Sequence, residues 1–504
     1  MMSFPWLTVL GLVPLLGALL PLFLKGRAGK YAGIAVSLVT LLVAIAVAAQ
    51  FKVGSAFQLT EQLAWIPPFG ANYALGLDGM GLVMVLMTAI LTPVVLLAEW
   101  NNDAGRRWSA STFMALILMV EGLAMYVFTA SDLLLFYVVF EATLIPMYFL
   151  IGAYGGDKAK RAANKFLIYS LAGGLIMLFS IIGVYVITAQ RGSATFLLSN
   201  LTQLDFSGTL GHMLMVGFLI AFIIKAPMVP LHTWLPDTTE QATPGTSTIL
   251  VGVLDKIGTF GMIRICLEVF PDASKWVTPF MLTLAVISII YGGLMAIAST
   301  NLLRLVSYTS ISHFGVMVLG IYAWTTPSMS GSMFYMVNHG FSTAAMFLVV
   351  GYMIKRRGSA DIKDFGGIQK VAPILAGCLL LAGLSALSLP GMSSFVSEFM
   401  VLAGTWQRYP WHAGFATLAV VLAAIYILRM YQRTMTGPLR DEVRDQSSDL
   451  SVKERFIFAP IMVVIFVLGF VPTLALRVVE PTATEVLKHA SVTDLPAQAG
   501  KDGK

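Results

Sequence analysis

Apolar residues fall along this chain in runs of about 20, the length a helix needs to cross a hydrocarbon core. The runs lie near 4–24, 31–51, 79–99, 111–129, 132–153, 166–189, 210–233, 243–267, 276–298, 301–323, 330–354, 371–405, 412–433 and 456–478. They predict an all-α polytopic membrane protein with about fourteen transmembrane helices. Two of the runs are interrupted. In the first, Lys225 is followed by Pro227 and Pro230, each of which removes a backbone donor and clashes with the preceding turn. In the second, 371–405 is too long for one straight span and Leu389-Pro390-Gly391 divides it. Both segments read as broken helices. Between the runs, 52–78 reads as short strands or an interfacial turn and 194–206 as a strand or loop. The charge-dense stretch 437–454 reads as a solvated connector, and the polar tail 481–504 as partly disordered.

Composition narrows the class. Hydrophobic residues make up 57% of the 504 and charged residues 12%, about half the usual globular share. So much apolar surface has no place in one soluble core, and a single membrane domain spanning 1–504 is the economical reading. The net charge of +6 would suit a nucleic-acid binder in a soluble protein. Here positively charged cytoplasmic loops explain it, so no nucleic-acid partner is expected. The two cysteines, Cys266 and Cys378, sit apart in apolar runs, which excludes a cysteine-ligated iron–sulfur cluster or zinc ribbon formed by this chain alone. No Gly-rich nucleotide fingerprint occurs. The first run, 4–24, lacks a small-residue cleavage site and reads as a span.

Lys and Arg alternate between loops. Those after odd-numbered spans carry Lys25, Arg27, Lys30, Arg106, Arg107, Lys158, Lys160, Arg161, Lys355, Arg356, Arg357, Lys363, Arg440, Arg444, Lys453 and Arg455. The other loops offer little beyond Lys52, Arg191, Lys275 and Arg408. The asymmetry places the basic loops in the cytoplasm and both termini on the outer side. The two broken helices are each the fourth of five spans, in units of about 111–267 and about 275–433. The second unit starts after an odd number of spans, so the two form inverted repeats, an arrangement that places a transport site at their interface.

Few ionisable residues fall within spans: Glu121, Glu141, Lys225, Asp255, Lys256, Arg264, Arg304, His313, His339, Glu398 and Arg429. A Lys or Asp at the centre of a span costs about 2.5–3.5 kcal/mol on insertion scales, so each is a functional candidate by default. A carboxylate and an amine on neighbouring helices can act as a switch, because the proton leaves the amine when its partner moves away. Arg264 and Arg429 near helix ends, and Arg304 at a helix start, read as interfacial anchors. Asp255 points about 100° away from its neighbour Lys256 and is expected to pair with another helix or with water. His313 and His339 are too few for the usual haem pairs, and either can instead bond hydroxyls such as Ser310 and Ser342. The spacing of His232, Asp237 and Glu240 matches no metal pattern, and helix capping by Asp237 is favoured. No metal or cofactor is expected in this chain.

The stretch Lys225-Ala226-Pro227-Met228-Val229-Pro230-Leu231-His232-Thr233-Trp234-Leu235-Pro236-Asp237 resembles the signature of the proton-pumping subunits of respiratory complex I and their cation/proton antiporter relatives. Phe140-Glu141-Ala142, the stretch Arg304 to His313, Asn338-His339-Gly340 and Ser394 to Phe399 add to the resemblance, which is strong over about 70–440. It implies a Glu141–Lys225 pair, a central Lys256 with His313 and His339 on a hydrated axis, Glu398 toward the outer side, and Glu121 tuning the intake. Asp255 departs from the family pattern, which has an apolar residue there, and bears on the charge of Lys256. The resemblance further implies a multi-pass protein of the bacterial inner membrane. Neighbouring membrane-arm subunits and a peripheral redox arm would be its partners, and that arm would hold NAD, FMN, iron–sulfur clusters and quinone. A multisubunit Na⁺/H⁺ antiporter or a proton-pumping hydrogenase would use the same buried residues.

Overall fold

The computed structural model describes residues 4–24, 26–102, 108–192, 194–439 and 441–494. Lys25, Arg106, Arg107 and Arg440, which entered the orientation reading, lie outside the described residues, as does 495–504 of the tail. Among the described residues, eleven helices are long and apolar enough to cross a membrane, or thirteen if two bent pairs each count as one span. In order, the spans begin with α1 (Trp6–Phe23), α2 (Gly26–Gln50), α3 (Gly79–Ala98), α4 (Ala110–Thr129), α5 (Leu133–Tyr154) and α6 (Ala159–Gln190). The first broken helix comprises α7 (Gly208–Lys225) and α8 (Trp234–Gln241). Next come α9 (residues 244–267), α10 (Pro271–Ala298), α11 (Leu302–Tyr322) and α12 (Thr326–Arg357). The second broken helix comprises α13 (Pro373–Ala386) and α14 (Ser393–Trp406). The chain closes with α15 (Pro410–Met435), α16 (Val452–Phe470) and α17 (Thr473–His489).

The polar residues that punctuate the sequence start the helices. Asp78, Ser109, Asp132, Asn301 and Thr325 each accept a bond from a backbone N–H of the first turn of α3, α4, α5, α11 and α12. These caps satisfy donors that have no partner within the helix. Ser451 and Glu454 form a reciprocal capping box at α16. The interval before α3 folds as the hairpin β1 (Gln58–Ile66) and β2 (Ala71–Leu77), with Gln58 opposite Leu77. Interval 194–206 contributes a bridge, Leu197 to Asp132, and one short helical turn.

Burial sorts the helices. The apolar stretch of α12 is wholly buried and that of α11 is 94% buried, whereas α1, α2 and α6 bury only 33%, 33% and 39%. With an apolar solvent outside, a helix needs no polar face to sit at the rim. Leu42, Ile168, Leu175 and Phe179 are accordingly exposed. α11 and α12 form the centre, and they carry His313 and His339.

Three departures from a regular helix matter. α7 stops at Lys225, where Ala226 turns to an extended conformation. Helix resumes at Trp234, whose indole N–H donates to the Ile224 carbonyl at 3.0 Å. The second break runs through Ser388 and Gly391, at φ 59° and 91°, in the left-handed region that suits glycine. Within α9, π turns span Leu250–Leu254 and Met262–Leu267.

The C-terminus differs from expectation. Residues 481–489 belong to the amphipathic helix α17, which buries Val479, Ala483, Val486 and Leu487. The apolar spacing within that polar stretch closes it over the hairpin side, where a Cβ at Gly79 would come 1.8 Å from the Val478 carbonyl oxygen.

Candidate functional site

The break after α7 sets the position of Lys225. This side chain is 1% exposed, and its Nζ has no hydrogen-bond partner among the described residues. It lies 5.6 Å from the Phe140 ring centre and 5.5 Å from that of Phe166. Asp255 and Glu141 are the carboxylates in its electrostatic field. Glu141 stands on α5 against Gly174 of α6, whose missing side chain provides the room: a Cβ there would lie 1.7 Å from Glu141 Oε1. Glu141 thus stands within electrostatic reach of Lys225. The expected pair differs in one respect, because the two are not in ion-pair contact and phenyl faces stand beside the ammonium.

A π turn places Lys256. The Asp255 N–H donates five residues back, to the Leu250 carbonyl at 2.9 Å. The Val251 carbonyl, which a regular helix would have bonded to Asp255, is left free, and Lys256 Nζ donates to it at 2.7 Å. Nζ also lies 2.6 Å from His339 Nδ1 and 5.0 Å from the Phe314 ring centre. His339 Nε2 in turn is 3.0 Å from Thr343 Oγ1. Nδ1 accepting from the ammonium while the Nε2–H faces the hydroxyl satisfies both bonds. Asp255, expected to pair with another helix or with water, has no side-chain hydrogen bond among the described residues. It stands in the field of both Lys225 and Lys256 and is the carboxylate common to the two lysines.

From His339 the polar row continues across the centre. The His313 and His339 rings are 5.2 Å apart, nearly perpendicular. His313 Nε2 is 3.4 Å from the Tyr426 hydroxyl, and its ring lies 5.9 Å from that of Tyr335. The Tyr335 hydroxyl donates to Glu398 Oε2 at 3.1 Å, and Ser388, in the second break, donates to the same oxygen. Asn338 donates to Ser397, beside Glu398, at 3.1 Å. Six of the seven candidate residues therefore fall along one polar row, which is buried except at its half-buried Glu141 end. Glu121 lies off it. Both its oxygens lack hydrogen-bond partners among the described residues, and Thr92 of α3 is beside it.

Sequence reasoning missed Tyr335, Tyr426 and Ser388. One signal was available, since Tyr335, His339 and Thr343 recur every four residues and share one face of α12. Ser388 carried none, because its place depends on how the second break folds.

Two of the arginines read as anchors are held in ion pairs. Arg264 is 3% exposed and bonds Asp78 at 2.5 Å and Glu268 at 2.9 Å. It is drawn inward by Asp78, which caps α3, and by Glu268, the residue at the end of its own helix. Arg304 pairs with Asp237 at 2.8 Å and Glu240 at 2.7 Å, and Lys165 reaches Asp237 at 2.6 Å. Asp237 is thus an ion-pair partner; the side chain that would cap α8 makes no such bond. Burial alone would raise the Asp237 carboxyl, but Lys165 and Arg304 hold it below the usual carboxylate range. These residues line a cavity of about 610 Å³ with Lys158, Arg161 and Tyr169. Tyr169 reaches the first break through Thr233 at 2.9 Å.

Comparison with known proteins follows the same outline. Residues 130–425 match the family model described as NADH:quinone oxidoreductase/Mrp antiporter, transmembrane. The NADH-quinone oxidoreductase subunit M of Mycobacterium tuberculosis is 46% identical over 530 residues, covering 97% of this chain and 96% of that protein. A chain of respiratory complex I from Thermus thermophilus with bound NADH superposes with TM-score 0.88 at 30% identity, covering 96% of this chain and 99% of that one. A chain of the Mrp complex from Dietzia sp. shares the fold, with TM-score 0.84 at 20% identity, covering 97% of this chain and all of that one. This multi-pass membrane chain belongs to the NADH:quinone oxidoreductase/Mrp antiporter family, among the subunit M members of NADH–quinone oxidoreductase.

Proposed function

We propose that the chain carries protons across the bacterial inner membrane as a membrane-arm subunit of NADH:quinone oxidoreductase. The observation that supports this most is the buried row itself. It leads from Glu141 and Lys225 through Asp255, Lys256, His339 and His313 to Tyr335 and Glu398. Carboxylates and amines in alternation from Glu141 to Lys256, continued by imidazole and hydroxyl groups to Glu398, are what a proton relay requires. Lys225 and Lys256 are the central carriers in this reading, with Asp255 the carboxylate that couples them. Glu398 is the last acid before the outer side, and Glu121 adjusts the intake from off the row. Intake follows the cavity of Lys165, Asp237 and Arg304, whose Tyr169 adjoins the first break.

Moving one charge against 100 mV costs about 2.3 kcal/mol, so the row needs an external driver. We assign that driver to partner subunits of a peripheral arm holding NAD, FMN, iron–sulfur clusters and quinone, transmitted through adjacent antiporter-like subunits. The Lys/Arg asymmetry supports cytoplasmic basic loops and outer termini. The matching breaks support two inverted units at about 111–267 and 275–433. Identity of 46% to a subunit M, against a likeness to the Mrp complex that extends to fold alone, favours the oxidoreductase over the antiporter. The test is Glu141→Ala or Lys225→Ala in the assembled complex, with proton pumping and quinone reduction measured in membrane vesicles. Loss of pumping is expected; near-normal pumping in either variant removes that residue from the relay.

A further inference from the structure

Lys225 is central to the proposed relay, yet two aromatic rings flank its ammonium. Its Nζ lies 5.6 Å from the centre of the Phe140 ring and 5.5 Å from that of Phe166. Ring faces carry negative electrostatic potential, and they attract an ammonium within about 6 Å, more strongly where water is excluded. The two rings are themselves fixed. Phe140 stacks on Phe136 at 6.0 Å, and Phe166 packs on Trp234 at 5.4 Å. The Trp234 indole N–H holds the carbonyl of Ile224, the residue before Lys225. The aromatic seat is therefore tied to the helix break on both sides. Phe140 also precedes Glu141 in the chain, and Glu141 occupies the niche left by Gly174. The ring seat and the carboxylate seat stand on consecutive residues. Lys256 repeats the arrangement, 5.0 Å from the ring centre of Phe314.

We infer that Phe140 and Phe166 are positioning residues for translocation: their faces form a seat that keeps the Lys225 ammonium away from Glu141, and from which it swings to that carboxylate. This rests on the proposed function. It differs from apolar filling in one respect, because filling depends on ring shape and a seat for a cation depends on ring electron density. A two-seat lysine needs both sites close in energy, and the phenyl faces supply the one that holds no proton acceptor.

The experiment replaces Phe166, and separately Phe140, with mono-, di- and trifluorophenylalanine by nonsense suppression in the assembled complex. Fluorination keeps the shape and drains the ring face. NADH-driven proton uptake into vesicles is read against NADH oxidation by a soluble artificial acceptor, which reports an intact peripheral arm. The expected result is a pumping rate that changes stepwise with fluorine number, by about tenfold across the series. A flat fluorine series at both positions overturns the inference. If the series is flat while Lys225→Ala abolishes pumping, the relay stands without its aromatic seat. If Lys225→Ala pumps normally, the relay reading itself fails.

Discussion

Gly174 and Gly258 decide how closely the parts of the proposed relay can approach. A Cβ on Gly258 would meet the Ala226 backbone nitrogen at 2.4 Å and the Phe222 carbonyl oxygen at 2.7 Å, so glycine lets α9 lie directly against the first break. Backbone cannot move aside as a side-chain tip can, and Gly258→Ala is expected to cost about 1–3 kcal/mol in stability, read as a lower melting temperature of the purified complex. At Gly174 the obstructed atom is Glu141 Oε1, at the end of a flexible side chain. Gly174→Ala is therefore expected to leave assembly intact while displacing the carboxylate from Lys225. Misplacing a reacting group by an ångström can reduce rates about 10²-fold, so a clear loss of pumping with normal complex yield is the expected result. Unchanged pumping would show that the position of Glu141 is not critical. The residues of the row were largely legible in the sequence because a charge within an apolar run is conspicuous. These glycines were not, since the need for a missing side chain appears only once the facing atom is known.

Among the elements, helix ends carry most of the ionic structure. Arg264, at the hairpin end of α9, ties that helix to α3 through Asp78, and its guanidinium also covers the Phe57 ring at 4.7 Å. Removing one partner of a buried pair leaves an uncompensated charge, so Arg264→Leu is expected to cost about 3–5 kcal/mol. Assembled complex should fall steeply on native gels, and Asp78→Asn added to it should recover part of the loss. At the opposite end, Asp237 is held between Lys165 and Arg304 while partly exposed, so its contribution is at most about 1 kcal/mol. Because its carboxyl is held below the usual range, that contribution is present near neutrality and is lost as pH falls through the depressed value. Asp237→Asn should melt slightly lower than native at pH 7, and the gap should close in strong acid. A gap that persists there would mean the stabilisation is not ionic. From the sequence alone Arg264 resembled an interfacial anchor, because its partner Asp78 is 186 residues away. Both broken helices, in contrast, were legible from their prolines. The helicity of 481–489 was hidden by a polar composition whose apolar residues fall on one face.

For the whole molecule, burial separates a polar centre from an apolar rim. α11 and α12, the most buried spans, carry Ser307, Ser310, Ser312, His313, Ser332, Asn338, His339 and Ser342, all buried. A soluble protein would hide its apolar residues, whereas here the outer helices are apolar and the polar residues are inside. This is why hydropathy located the spans and yet gave no hint of which of them lie at the centre. The row ends at Glu398, which receives hydrogen bonds from Tyr335 and Ser388. Glu398→Gln keeps the shape and removes the acid, so pumping and the quinone reduction coupled to it are expected to fall together by about tenfold or more. NADH oxidation by a soluble acceptor should be unchanged. Full pumping in this variant would place the outlet elsewhere.

The π turns of α9 have a consequence for the numbering of the chain itself. Each such turn holds one residue more than a regular helix would need over the same rise, and one residue is worth about 100° of rotation. Deleting a single residue within Leu250–Leu254 would let the helix close regularly, return the Val251 carbonyl to the backbone ladder and turn Lys256 out of line with His339. Length in this segment is therefore a phase setting, and a shortened homologue would have to carry its central lysine at a shifted position to reach the same histidine.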